Sequence, residues 1–312
     1  MQYLIKTLAK RLMGDFQSSA IQPILSLMRT YSFAYTANHD FGVCASIMVD
    51  DYELRMGPHW IVGRDGGYRK ATQRQYDQFP GLGFIVHDVV TNGERVALRF
   101  SEHGHSEYAD ADAVWAGISM YQWDGSRLVS CWVEQDYFAR RRQLRTGVAN
   151  QIEAPGMDPW STGVEPANPA SEAIVRAWIL GGGIDDSVAG SLDDEWCSPV
   201  ERASLLVRDT TIDDIFSAGN RVAFHVSEVG ETNVGAGTNM EVTSVTRYLS
   251  GIAQVDGSSI SARVVTDRLS IAKQLSSKTP RLAGGGQLPG SFAIESVGGA
   301  QRETLTSASR TK

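Results

Sequence analysis

The chain has 312 residues, 42% of them hydrophobic and 21% charged, which is enough apolar material for packed cores and too long for one small domain. Its 29 Lys and Arg against 36 Asp and Glu give a net charge of −7, a poor balance for neutralising phosphates, so no nucleic-acid partner is expected. Cys44, Cys131 and Cys197 form no CxxC pair, so neither a disulfide framework nor a metal site is expected and a reducing cytoplasm is; no apolar run reaches the roughly 18 residues of a membrane span, and no membrane association is expected.

Residues 1–14 read as an amphipathic segment, because Lys6, Lys10 and Arg11 interrupt the apolar stretches that a secretion signal would need. Ile21, Ile24, Leu25, Met28 and Phe33 recur at near-helical spacing and predict a helix over 17–38, with Pro23 near its start. Asp40 is placed to cap a short helix running to Met48. Tyr52–Met56 alternates as a strand, and 65–79 reads as a helix ended by Pro80-Gly81. Strands are expected at about 83–90, 94–102, 113–123 and 127–136. A linker rich in Pro, Gly and Asn follows at 146–169, then a helix over Ser171–Leu180 stopped by Gly181-Gly182-Gly183, and a short helix near 189–196. Residues 276–312 are rich in Gly, Ser and Thr and read as a tail that docks on a domain or subunit through Phe292 and Ile294. Gly181–Gly183 and Gly284–Gly286 lack the context of a nucleotide-binding loop, and no cofactor is expected.

The sequence repeats internally. HDVVTNGERVALRFSEHG (87–104) aligns without gaps to DDIFSAGNRVAFHVSEVG (213–230), with identities at Asp88/Asp214, Gly93/Gly219, Arg95/Arg221, Val96/Val222, Ala97/Ala223, Ser101/Ser227, Glu102/Glu228 and Gly104/Gly230. Each segment reads as strand, glycine turn, strand. The correspondence continues through Asp-Gly-Ser turns at 124–126 and 256–258, then Asp136 and Asp267, then Gln143-Leu144 and Gln274-Leu275. A period of about 130 residues indicates tandem domains, not a solenoid: domain 1 over 15–145 and domain 2 over 170–275. The shorter stretch ahead of the second hairpin implies that domain 2 has lost about a strand and a helix.

The order helix, short helix, strand, helix and four-strand meander is distinctive. It carries His87-Asp88-Val89-Val90, Arg95-Val96-Ala97, Ile118 to Gly125 (ISMYQWDG), Leu128 to Trp132 (LVSCW) and then Asp136. This resembles the SnoaL-like branch of the nuclear transport factor 2-like superfamily, over nearly all of 15–145 and more weakly over 170–275. The resemblance implies an α+β fold of two tandem cone-shaped barrels, each a bent antiparallel sheet wrapped on helices around an apolar cavity, the usual form of a small-molecule site. Members include polyketide cyclases, isomerase-like proteins, epoxide hydrolases, dehydratases, diarylpropane formaldehyde lyases and non-catalytic modules.

Asp136 matches the place of the aspartate that works as general acid/base in SnoaL-type cyclases; its alternative role is a helix cap. Gln122 stands where those cyclases often carry a histidine. The strand Arg99-Phe100-Ser101 lacks the Arg-x-Asp of the epoxide hydrolases. His59, His103 and His105 are further acid/base candidates, and domain 2 has Val229 and Glu231 in place of the last two, which points to domain 1 as the working copy and domain 2 as structural. Arg99 is a candidate holder of an oxyanion. Tyr52, Trp60, Trp115, Tyr121 and Trp132 are candidates for sandwiching a planar substrate. The function expected is a cofactor-independent acid/base lyase on a small hydrophobic aromatic compound, such as deformylation of a lignin-derived diaryl diol. The alternatives are a polyketide cyclase or isomerase using Asp136, and a non-catalytic binding or scaffolding module in which Asp136 caps a helix and no polar group is buried in the domain 1 pocket. A homo-oligomer is expected.

Overall fold

The computed structural model describes residues 22–154, 158–184, 205–234 and 241–278, all within one compact unit spanning 1–279. The amphipathic segment at the start, the short helix near 189–196, Cys197 and the glycine-rich tail beyond 278 lie outside the described residues.

Helix α1 (Pro23–Arg29) starts on a proline in its first turn, where the missing N–H costs nothing; the start of the helix expected over 17–38 falls at 17–21, outside the described residues. It runs on with π-helical geometry over Thr30–Ala37, burying Ile24, Leu25, Met28, Tyr31 and Tyr35. Asp40 caps the next turn, accepting the Gly42 N–H at 2.7 Å, ahead of α2 (Cys44–Ile47). Strand β1 (Met48–Met56) turns at Gly57, whose φ of +51° lies in the left-handed region that glycine tolerates, into β2 (His59–Val62). A π-helical stretch (Gly63–Tyr68) leads into α3 (Arg69–Gln78), and a meander follows: β3 (Gly83–Thr91), β4 (Arg95–Ser106), β5 (Ala111–Trp123) and β6 (Leu128–Gln135), closed by α4 (Tyr137–Thr146).

These strands form sheet I in the order β2-β1-β6-β5-β4-β3, antiparallel except for β1 beside β6. Alternation along β4 sends Val96, Leu98 and Phe100 toward the helices, into a core with Tyr31, Tyr35, Tyr52, Tyr68 and Tyr121. Ala97 faces the other way, as do Ile118 and Met120 of β5, and that second face is buried too.

What it packs on is sheet II. After α5 (Pro169–Leu180), capped by Asn168, come β7 (Leu206–Ala218), β8 (Arg221–Val234), β9 (Glu241–Asp256), β10 (Ser259–Thr266) and α6 (Arg268–Lys278), with sheet order β10-β9-β8-β7. Val175 and Ile179 of α5 fill the inner face of this sheet against Phe224, Leu249 and Val264. Among the described residues nothing between α5 and β7 corresponds to β1, β2 or α3.

The repeated residues do the same work twice. Asp136 and Asp267 each cap the helix that follows, accepting Ala139 N–H and Ser270 N–H at 3.0 Å. Gln143 pairs both ways with the Val114 backbone, and Gln274 with that of Thr246, so one amide on each helix ties it to its own sheet. The outer faces then meet in a shared core of Val90, Ala97, Ile118 and Met120 with Phe216, Ala223, Ile252 and Val265. Two matching ion pairs flank it: Arg95 with Asp214, and Arg221 with Asp88. Each arginine of the repeat thus reaches the aspartate of the other hairpin.

The first pair is the more buried, with side chains 18% and 10% exposed against 30% and 31% in the second. Arg95→Ala is expected to lower the unfolding free energy by about 2 kcal/mol, and Arg221→Ala by about 1 kcal/mol or less, in urea titrations.

Candidate active site

The inner face of sheet I is lined by phenols. Tyr31 and Tyr35 come from the π-helical stretch after α1, Tyr68 from the one before α3, Tyr76 from α3, Tyr52 from β1 and Tyr121 from β5. Their rings lie edge to face or tilted, with centroids 5.6 Å apart for Tyr31–Tyr35, 5.3 Å for Tyr31–Tyr121 and 5.1 Å for Tyr52–Tyr68. The Tyr31 and Tyr68 hydroxyls are 3.3 Å apart, whereas the buried hydroxyls of Tyr35 and Tyr52 have no hydrogen-bond partner among the described residues. Burial pushes the Tyr31 phenol up to about 12 and raises those of Tyr35, Tyr52, Tyr68 and Tyr121 as well, so all remain protonated donors at neutral pH. An unpaired buried hydroxyl costs about 1–3 kcal/mol, a penalty that an acceptor atom on a ligand would remove. The Cys131 thiol is also pushed up to about 12 by burial, which leaves it un-ionised.

One carboxyl group sits in this apolar face. Glu102 continues the inward row of Val96, Leu98 and Phe100, and is 4% exposed. Burial raises its pKa to about 7, partly opposed by the charge of Arg140. Its Oε2 accepts a hydrogen bond from Gln75 Nε2 at 2.8 Å, and Gln75 in turn accepts the Tyr137 hydroxyl at 3.3 Å. Arg140 lies over the rings of Tyr137 and Trp115, 4.1 Å and 5.0 Å from their centroids. The charge of Glu102 is felt at Tyr31, Tyr76 and Tyr137.

The repeat supplies an internal control. Glu228 occupies the same position of sheet II, and its neighbour on β9 is Arg247, whose Nε donates to Glu228 Oε2 at 2.7 Å. In sheet I the neighbour of Glu102 on β5 is Trp115, with its indole N–H turned to Gln135 at 2.8 Å. Glu228 has an arginine as its hydrogen-bonded neighbour; Glu102 has a tryptophan there, and burial leaves it poised to take up or release a proton near neutrality.

The residues expected from the sequence divide. Tyr52, Tyr121 and Trp115 are buried on the inner face. Trp60 is 58% exposed on β2, donating to Glu53 at 3.2 Å, and Trp132 faces sheet II, its ring 4.5 Å from that of His225. Arg99 lies on the outer face because it alternates with Leu98 and Phe100, and both its terminal nitrogens donate to Glu153 at 2.7 Å. His103 shares that alternation; its ring covers Gly83, and burial lowers its pKa. His105 is exposed between Asp110 and Asp112. His59 is exposed at the start of β2, its pKa lowered by packing and by Lys273. Asp136 is fully buried and spends one oxygen on its helix cap and the other on Arg268 of α6. Among the described residues no three His, Cys, Asp or Glu side chains converge as a metal site, and no helix is long and apolar enough to cross a membrane.

A second polar cluster lies between the sheets. The ring nitrogens of His225 reach Asp213 and Glu134, both at 2.9 Å, and Glu134 also accepts the Gly57 N–H at 2.8 Å. Burial alone would lower the His225 pKa, but the two carboxylates outweigh it and hold it at about 9. Asp267 nearby is raised to about 7, by burial and then by the charge of Glu134. A histidine raised from 6.5 to about 9 contributes stability that is complete below 6.5 and lost as pH rises through 9. Unfolding free energy measured from pH 7.5 to 9.5 is expected to fall by about 2 kcal/mol in the wild type, and to stay nearly flat in His225→Asn.

Residues 29–131, about a third of the chain, match the SnoaL-like domain. No curated protein shows a significant match to the sequence. Among solved structures, the chain is similar to IdmH, a candidate polyketide cyclase of Streptomyces antibioticus (19% identity over 40% of this chain and 99% of that one, TM-score 0.35). It is similar also to a candidate SnoaL-like polyketide cyclase of Jannaschia sp. CCS1 (13%, 43% and 97%, TM-score 0.35) and to AclR, a candidate hydroxylase of Streptomyces galilaeus (13%, 40% and 98%, TM-score 0.36). The helices and strands that carry the buried phenols and Glu102 lie within the stretch, 29–131, that matches the SnoaL-like domain.

Proposed function

We propose that the SnoaL-like domain binds a small hydrophobic compound against its phenol-lined inner face and performs acid/base chemistry on it without a cofactor, as an isomerase or cyclase. The observation that carries this reading is Glu102, a carboxyl group on an apolar face whose pKa stands near 7. A base there removes a proton from carbon or from a hydroxyl, and an uncharged buried phenol, Tyr35 or Tyr52, donates to the oxyanion that develops. The tyrosine rings favour a planar aromatic substrate. The same base and donor serve a lyase: deprotonating the terminal hydroxyl of a diaryl diol releases formaldehyde, and the electron pair of the broken carbon–carbon bond forms an alkene by expelling the second hydroxyl, which leaves as water with the proton that Glu102 took up; that reaction is the finer form of this proposal.

In this reading sheet II is a shortened second copy of the domain, retained for structure, with Arg247 paired to its glutamate. Asp136 acts as a positioning group for α4 and α6. A purely binding or scaffolding role calls for an inner face without a buried polar group, and Glu102 weighs against it.

The test is turnover by the full chain, without added cofactor, on a panel of lignin-type diaryl diols and aromatic polyketide precursors, followed by absorbance and formaldehyde release. Loss of turnover in Glu102→Gln supports the assignment. Turnover that survives this change but vanishes in Asp136→Asn or in His59→Ala would sink it.

A further inference from the structure

Helices α4 and α6 are the two closing helices of the repeat, and they pack against each other across the junction of the sheets. A groove of about 250 Å³ opens between them. Beside Phe138, its walls are matched positions of the repeat: Arg141 with Ala272, Arg142 with Lys273, and Arg145 with Ser276, each pair 131 apart like Asp136 and Asp267. Four cations line it, and among the described residues no carboxylate does, in a chain whose net charge is −7.

The bland explanation for cations on a helix is the dipole at its C-terminus, but this covers only Arg145, in the last turn of α4. Arg141 and Arg145 stand four residues apart on one helix face, where like charges repel. Among the described residues no carboxylate forms an ion pair with Arg141, Arg145 or Lys273, although the charge of Lys273 is felt at Asp267 and His59. Arg141, Arg145 and Lys273 therefore hold positive charge without a counter-ion among the described residues, in a concave site built from both halves of the repeat.

We propose that this groove binds the diphosphate group of a phosphorylated small molecule. Guanidinium groups match phosphate oxygens in paired hydrogen bonds, and an ammonium adds a point charge. With arginines on one wall and a lysine on the other, two linked phosphates span the groove better than one. The volume suits such a group, lying just below the ~300 Å³ at which drug-sized sites begin.

The experiment is calorimetric titration of the full chain with inorganic pyrophosphate at low ionic strength, with inorganic phosphate in parallel, on the wild type, R141A/R145A and K273A. We expect one site per chain, preference for pyrophosphate, affinity that falls with added salt, and at least a tenfold loss in R141A/R145A and in K273A. Without ligand, R141A/R145A should melt at or above the wild-type temperature, because it relieves repulsion. Absence of binding by the wild type, or unchanged affinity in both variants, overturns the proposal; K273A, on the other helix, keeps the test decisive if the double variant fails to fold.

Discussion

Glu102→Gln is expected to reduce turnover by about 10²–10⁴-fold, the range contributed by a positioned general base, while making the protein more stable above neutral pH. Both effects follow from one displaced titration. For catalysis the carboxylate is the working form, so kcat/KM of the wild type should rise with pH through about 7 and level off above it. For folding, the sign is opposite to that of an ordinary surface glutamate. The folded state holds the proton more tightly than the unfolded chain does, whose value is 4.5, so stability is complete below 4.5 and falls as pH rises to about 7. The buried, ionised carboxylate then costs on the order of 2–3 kcal/mol, which glutamine does not incur. Chemical unfolding of wild type and variant at pH 4.5 and pH 8 checks this: near-equal stabilities at the lower pH, and the variant ahead at the higher. A variant less stable than wild type at pH 8 would show that Glu102 is a structural ion-pair member like Glu228, and would remove the basis for its catalytic role.

Arg268→Ala is expected to be the most destabilising single change, lowering the unfolding free energy by about 3–5 kcal/mol, because it leaves the fully buried Asp136 carboxylate without its cation. The Arg268 side chain is only 7% exposed and also lies over the Phe138 ring, so packing is lost along with charge. Asp136→Asn keeps a cap acceptor for Ala139 but leaves Arg268 opposite a neutral amide, so it too should destabilise, while turnover per folded molecule persists. A pairing of Asp136→Leu with Arg268→Met should recover much of the loss from removing the ion pair, though not the helix cap. Urea unfolding combined with activity normalised to folded protein separates these outcomes. If Asp136→Asn abolished turnover at undiminished stability, Asp136 would be the base that the family resemblance suggested.

The meander strands and both hairpins were legible because they alternate and because the sequence repeats. Strand β2 was not, since His59-Trp60-Ile61-Val62 is only four residues long and leaves His59, Trp60 and Val62 exposed, so it carries no inward pattern. The π-helical stretches are invisible to residue preferences, which are those of an ordinary helix. Packing of sheet on sheet was written in β5, whose Ala113 to Tyr121 is apolar at nearly every position, the mark of a strand buried on both faces. The same alternation placed Arg99 outside and Glu102 inside: a glutamate in register with Val96, Leu98 and Phe100 is a polar residue in an apolar row. The junction cluster had no such signal, because His225 and Glu134 stand 91 residues apart and meet only once the sheets pack.

The crossed pairs Arg95–Asp214 and Arg221–Asp88 have the reciprocal form of a contact between two identical subunits, in which each surface offers the other the same donor and acceptor. Here both surfaces belong to one polypeptide. Dilution therefore cannot separate them, and the effective concentration of one half at the other is fixed by the connecting chain. A symmetric pair of identical subunits must accept every substitution twice. A covalently joined pair escapes that constraint, so Trp115 can stand beside Glu102 while Arg247 stays beside Glu228, and each half can change without its twin.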